Sequence, residues 1–313
     1  MKIAILLPCY NEEMTIGKVI DDFKRELPNA LIYVYDNNSQ DKTSEVARAH
    51  GAIVKKEPRQ GKGNVVRSMF REIDADVYIM ADGDDTYPAE FVHEMIQPVL
   101  TGEANLVIGD RLSNGTYFSE NKRQFHGFGN SLVKNLINRL YKSNINDIMT
   151  GYRAFDKLFV KSFPVTSPGF EIETEMSIHA LDNRFLIKEV AVEYRDRPDG
   201  SESKLNTVQD GIKVLRMIFT LFKDYKPLLF FSAWAAVFLI AGFAVGGPVI
   251  LEYVQTSFIT KVPSAILAVG FMMLSMLSFA CGLILDTVAG THRKQFELEL
   301  IRITDRYLKE RNQ

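Results

Sequence analysis

The chain has 313 residues, 46% hydrophobic and 24% charged, with a formal net charge of −2, 20 Gly and 2 Cys. That length suffices for one large or two modest domains with a buried core, and the composition excludes disorder, collagen-like repeats and a disulfide-stapled miniprotein. The near-zero charge gives no support to a nucleic-acid partner held by bulk positive charge.

In chain order, short β-rich runs alternate with amphipathic helical patterns. KIAILLP precedes a helix around Ile16 to Leu27, LIYVYD one over Lys42 to His50, AIVKK one over Asn64 to Ile73, VYIMAD one over Ala89 to Leu100, and LVIGD follows. Strands of nearly continuous Ile, Leu and Val followed by helices predict an α/β domain, a mostly parallel sheet with helices on both faces. Ligands of such sheets sit beyond the carboxyl ends of the strands, so functional residues are expected in PCYNEE, DNNSQD, DGDDTYP and GDR. A dinucleotide dehydrogenase is disfavoured because no GxGxxG follows the first strand, and no GxxxxGK with Ser or Thr after it supports a P-loop NTPase. Gly61, Lys62 and Gly63 form a small turn suited to a phosphate, a weak signal by itself.

The strongest local signal is Asp82, Gly83, Asp84 and Asp85 at the end of VYIMA. Clustered carboxylates raise each other's pKa unless a cation compensates, and hard oxygen donors suit Mg²⁺ or Mn²⁺, which commonly shares its shell with substrate phosphates. The competing reading is an Asp-rich turn capping the helix that starts near Pro88, with Asp85 as the cap.

The mean hydropathy of −0.05 averages two unlike parts. Pro227 to Leu251 and Val262 to Leu285 carry no ionisable residue, and about 24 residues of helix reach roughly 36 Å, more than the bilayer hydrocarbon. They predict a transmembrane hairpin in the lipid bilayer. Lys223 and Lys226 before the first span and His292, Arg293 and Lys294 after the second place both termini and the α/β domain in the cytoplasm, on a multi-pass protein of the cell membrane. The opening MKIAILLPCYNEE, broken at Glu12, is too short an apolar run for a secretory signal. Cys9 and Cys281 are expected neither to pair nor to bind metal. Residues 205–226 have helical periodicity and are read as an amphipathic helix in the membrane interface, or as a core helix under the sheet. Residues 292–313 read as a C-terminal helix that joins neighbouring subunits or lies on the surface.

The run PCYNEE, DNNSQDKT, GKG, DGDD, DIMTGYR (Asp147 to Arg153) and RPDGSESKL (Arg197 to Leu205), followed by two spans, resembles the family 2 glycosyltransferases, and within them the polyprenyl-phosphate branch. The resemblance covers nearly all of residues 1–226, with a cytosolic catalytic domain over 1–204. It implies a GT-A, Rossmann-like fold and an inverting hexosyltransferase that moves a sugar from a nucleotide-sugar donor, expected to be a UDP-hexose or UDP-N-acetylhexosamine, to a polyprenyl phosphate acceptor (undecaprenyl or dolichyl phosphate), with Mg²⁺ or Mn²⁺ as cofactor. A homo-oligomer is a further implied possibility.

Residue by residue, the resemblance places Pro8, Tyr10, Asn11 and Glu12 at the base and ribose and Asp36 at the base edge, with Lys62, Asp82 and Gly83 also on the donor. Asp82 and Asp84 match the metal-binding pair, and Thr86 stands where some members carry a Gln ligand. Asn37 and Asn38 depart from the usual Asp-Gly, leaving a structural role equally open. Asp84, Asp147 and Arg111 form the implied catalytic set, while Arg123, Arg153, Arg197 and Lys204 are assigned to the lipid phosphate. Any of Glu171, Glu173 and Glu175 is a candidate general base or part of a charged helix start. Three alternatives remain: a GDP-mannose-dependent dolichol-phosphate mannose synthase, a processive polysaccharide synthase, which the absence of a QxxRW motif disfavours, and a non-catalytic membrane-anchored nucleotide-sugar binder.

Overall fold

The structure is a computed structural model and describes residues 1–113, 126–195, 219–220 and 222–311. The described residues fall into two units, residues 1–195 with the C-terminal stretch from Leu300, and residues 219–299.

The first unit is built on one sheet. Its strands are β1 (Ile3–Cys9), β2 (Leu31–Asp36), β3 (Ile53–Lys56), β4 (Val77–Met80), β5 (Leu106–Asp110), β6 (Arg153–Asp156) and β7 (Ile187–Ala191), in the spatial order β3-β2-β1-β4-β6-β5-β7. Every pairing is parallel except those of β6, which runs antiparallel to β4 and β5. The reversal has a functional consequence. The first residue of β6, Arg153, pairs with Met80, the last of β4, so the loop feeding β6 lies at the edge where the parallel strands end.

Central strands β1 and β4 are covered on both faces, and Ile5, Leu6, Leu7, Ile79 and Met80 are fully buried. Helix α1 (Ile16–Glu26) buries Ile16, Val19, Ile20 and Phe23, the spacing of one helical face. Helices α2 (Thr43–Ala49) and α3 (Lys62–Glu72) follow β2 and β3. After β4 a 3₁₀ turn (Ala89–Phe91) leads into α4 (Val92–Leu100), with no side-chain cap. Asp85, expected as that cap, has φ 61° and pairs with Lys18 at 2.7 Å. Three more helices follow: α5 (His126–Tyr141), α6 (Lys157–Ser162) and α7 (Ile172–Asp182).

The second unit contains α8 (Pro227–Thr256) and most of α9 (Val262–Arg311). Among the described residues these are two helices long and apolar enough to cross a membrane. Small residues let them approach: a Cβ on Gly246 would lie 3.0 Å from the Ala268 Cβ, and one on Gly282 3.0 Å from the Phe231 Cβ. The Ser275 hydroxyl donates to the Ala235 carbonyl at 2.8 Å, satisfying a polar group inside the pair. Trp234, Ile240, Phe243, Ile250 and Ile284 point outward and exposed, as lipid-facing residues do.

The sequence separates the second apolar run from a C-terminal helix, whereas α9 continues through both. Its last turns belong to the first unit. There the Tyr307 hydroxyl donates to Asp76 at 3.2 Å and the Lys157 ammonium lies 5.1 Å from the Tyr307 ring centre. Residues 205–218 fall outside the described residues.

Candidate active site

The carboxyl edge of the sheet gathers the turns after β1, β2 and β4 with the loop before β6. Asn11, with φ 53°, has its amide donating to the Ser39 hydroxyl at 2.9 Å and its side-chain oxygen accepting from the Gln40 amide at 2.8 Å. The Glu12 amide donates to the Thr43 hydroxyl at 2.8 Å. The first two turns are thereby stitched together. Pro8 lies within β1 opposite Tyr35, and Tyr10 is partly exposed beside the turn.

Asp36 is buried and accepts from the Ser39 amide at 2.8 Å and the Ser44 hydroxyl at 2.5 Å. Burial alone would raise its pKa, but these bonds hold it below the ordinary carboxylate value. Asn37 donates to the carbonyls of Glu57 and Arg59 and accepts from the Gly61 amide at 2.6 Å. Asn38 donates to the Pro58 carbonyl. Both asparagines tie β2 to the loop after β3.

The glycine-flanked turn at the start of α3 also serves packing. A Cβ on Gly61 would fall 2.2 Å from the Pro168 carbonyl oxygen, and one on Gly63 1.9 Å from that of Ser167. The Asn64 amide donates to Pro168 at 3.3 Å. A strap over residues 166–168 therefore lies across this helix N-terminus, where the sequence anticipates a phosphate. Glu175 holds the strap by accepting from the amides of Thr166 and Ser167 and the Thr166 hydroxyl.

Lys62 is buried, its ammonium 2.5 Å from Asp82 Oδ1 and 2.7 Å from Glu173 Oε1. Burial by itself would lower its pKa, yet the two carboxylates more than compensate and keep it charged. Across from it, a Cβ on Gly151 would sit 2.6 Å from Asp82 Oδ2 and 2.9 Å from the ammonium, so this cradle admits no side chain. Asp84 is buried and accepts from the Thr86 hydroxyl at 2.6 Å and the Thr86 amide at 3.3 Å. Thr86 thus orients Asp84. Gly83, between Asp82 and Asp84, faces the Cys9 sulfur, which a Cβ would approach to 2.5 Å.

Among the described residues no group of three or more His, Cys, Asp or Glu side chains converges as a metal cage. Two carboxylates on one turn, next to a glycine cradle, nevertheless fit a hard divalent ion that takes its other oxygens from phosphate and water.

The Glycosyl transferase family 2 model matches residues 4–162. The chain belongs to glycosyltransferase family 2. It is 31% identical over 300 residues to glycosyltransferase AglJ of Haloferax volcanii, spanning 94% of this chain and 96% of that one. It is 29% identical over 216 residues to the dolichyl-phosphate hexose transferase of the same organism, covering 69% of this chain and 92% of the relative. Among solved structures, glucosyl-3-phosphoglycerate synthase from Mycobacterium tuberculosis, in complex with Mn²⁺, UDP and glucosyl-3-phosphoglycerate, superposes with a TM-score of 0.58 at 24% identity. That match covers 71% of this chain and 79% of the other. It shows the shared GT-A fold.

In this glycosyltransferase the loop before β6 is stiffened by charge. Arg111, after β5, grips Asp147 with Nε at 2.7 Å and a terminal nitrogen at 3.0 Å, and both residues are buried. The Tyr87 hydroxyl meets Arg111 at 3.2 Å and the Gly151 amide at 2.9 Å, linking the acidic turn to that loop. Sequence reasoning missed Tyr87, whose only signal is its place between the acidic turn and the Pro88 helix start.

Arg153, read from sequence as a lipid-phosphate ligand, is fully buried and donates to the carbonyls of Ile148 and Thr150 at 2.6 and 3.0 Å. Among the described residues its third nitrogen has no hydrogen-bond partner. Burial lowers its pKa to about 10. It shapes the Gly151 loop from inside, because a side chain with no exposed surface cannot present itself to a lipid. Of the three candidate bases, Glu175 serves the strap and Glu173 serves Lys62. Glu171 stands at the N-cap of α7, partly exposed. Arg195, just before the basic segment that opens at Arg197, faces Glu90 at 3.3 Å. Arg123, Arg197 and Lys204 lie outside the described residues.

Proposed function

We propose that the enzyme transfers a hexose from a nucleoside diphosphate sugar to a polyprenyl phosphate at the membrane surface, inverting the anomeric centre. The observation that carries this reading is the near-full-length similarity to AglJ, extending from the acidic turn through both apolar helices. The similarity to a dolichyl-phosphate hexose transferase supports the same acceptor class.

The donor binds across the turns after β1, β2 and β4, with Asp36 accepting from the nucleobase edge and Tyr10 and Glu12 at base and ribose. Asp82 and Asp84 hold Mg²⁺ or Mn²⁺, which when bound supplies positive charge against the departing diphosphate. A phosphate monoester is mostly a dianion at neutral pH, since its second pKa lies near roughly 6. Its oxygen therefore attacks the anomeric carbon without a protein base, as the sugar–diphosphate bond breaks on the opposite face. Arg123, Arg197 and Lys204 align the lipid phosphate by charge. Arg111 and Asp147 act as a buried brace that fixes the Gly151 loop beside the donor. The apolar helices span the bilayer, with both termini on the cytoplasmic side. A UDP-sugar is the favoured donor.

Mixing detergent-solubilised protein with single nucleotide sugars, with and without polyprenyl phosphate, tests the donor. UDP release that requires the lipid is expected. Release of GDP from GDP-mannose instead would replace the donor assignment, and release indifferent to the lipid would overturn the acceptor.

A further inference from the structure

Lys62 lies between two carboxylates that come from separate elements. Asp82 belongs to the turn after β4 and Glu173 to the first turn of α7, at 2.5 and 2.7 Å from one ammonium. Glu173 and Lys62 are both nine-tenths buried or more. Burial pushes the Glu173 pKa above the ordinary carboxylate value, and the Lys62 ammonium, with the buried Arg153 guanidinium behind it, opposes that shift in favour of the charged form. Gly151 closes the other side and leaves the ammonium little room to move. A lysine held by one carboxylate neutralises it; a lysine divided between two leaves each with part of its negative charge.

We propose that Glu173 is a positioning residue: by sharing the Lys62 ammonium it leaves Asp82 with the negative charge needed to receive the divalent cation. This rests on the assignment of Asp82 and Asp84 under the proposed function. The group of Asp82, Asp84, Glu173 and Lys62 carries a net charge of −2, and neutralising Glu173 leaves −1 while giving Lys62 wholly to Asp82. Both changes weaken cation binding. Removing Lys62 as well restores −2 and releases Asp82.

The test is Mn²⁺ binding to the full, detergent-solubilised chain without nucleotide, read from the electron paramagnetic resonance signal of free Mn²⁺. Glu173→Gln is expected to bind about tenfold more weakly than wild type, about 1.4 kcal/mol. The double variant Lys62→Met/Glu173→Gln is expected to return to within about threefold of wild type, a recovery that loss of packing would not produce. Should Glu173→Gln not fold, Glu173→Asp decides in its place, with about threefold weaker binding expected because its carboxylate is withdrawn by one methylene. Wild-type affinity in the Gln or Asp variant used, or a double variant as weak as Glu173→Gln, overturns the inference. Asp84→Asn separates the two levels. If it binds Mn²⁺ as wild type does, or if wild type binds none, the metal assignment falls and this inference with it. If Asp84→Asn loses binding while Glu173→Gln keeps it, only the inference falls.

Discussion

Replacing Gly151 by Ala adds one methyl group at a point where the fold leaves no space for it. The new Cβ would lie 2.6 Å from Asp82 Oδ2 and 2.9 Å from the Lys62 ammonium. An ordinary contact requires the carboxylate to retreat by about 0.8 Å, and Asp82 cannot do so without disturbing its bond to Lys62. Gly151 has no positive φ, so the backbone accepts Ala, and the smaller entropy of the unfolded chain offsets part of the contact penalty by about 0.4–1 kcal/mol. The expected outcome is stability within about 1 kcal/mol of wild type with transfer slowed by about 10- to 100-fold, since misplacement of a reacting group by about 1 Å costs up to about 10²-fold. Initial rates of glycolipid formation, set beside thermal unfolding of the same preparation, measure both. Transfer within twofold of wild type would refute the placement of Asp82 at the reaction centre. An equal fall in stability and rate would show that Gly151 serves packing instead.

Other outcomes follow from the same geometry. Arg111→Met strands the Asp147 carboxylate in the interior and should cost about 3–5 kcal/mol in chemical denaturation, whereas adding Asp147→Asn should recover much of the loss. Thr86→Val removes the hydroxyl that orients Asp84 and is expected to lower metal-dependent transfer about tenfold while costing about 1 kcal/mol of stability, read by rate and by unfolding. Burial among Phe159, Phe163 and Phe185 pushes His179 down to about 4 from 6.5. The unfolded chain therefore takes up a proton in that window while the folded one does not. Stability is full above pH 6.5 and should fall by up to about 3 kcal/mol as pH drops to 4, and His179→Phe should flatten that slope in unfolding measured across pH.

The alternation of apolar strands and helices was enough to predict an α/β sheet with its site beyond the strand ends, because β1, β2, β4 and β5 are nearly continuous runs of Ile, Leu, Val and aromatic residues. Strands β6 and β7 were not legible. RAFD is four residues long with a charge at each end, and IKEVA is polar at its centre, so neither shows a buried-strand pattern. The antiparallel entry of β6 follows from tertiary packing and has no local signature. The acidic turn was readable because its carboxylates are adjacent in sequence.

The Lys62–Glu173 and Arg111–Asp147 pairs were not readable, since their partners lie 111 and 36 residues apart and a lone charged residue looks like a solvated one. For the same reason Arg153 was assigned to a ligand: sequence shows its charge but not the burial that turns it inward. The glycines of GKG resembled a phosphate turn, and packing against the strap at Ser167 and Pro168 uses them otherwise.

The central claim, hexose transfer onto a lipid phosphate, is tested most directly by isolating the product. Labelled nucleotide sugar, a divalent cation and polyprenyl phosphate are incubated with wild type and with Asp84→Asn, and the lipid extract is examined by mass spectrometry. Wild type should yield a polyprenyl phosphate bearing one hexose, with none from Asp84→Asn. A polymer, a sugar on any other acceptor, or equal product from the variant would contradict the account.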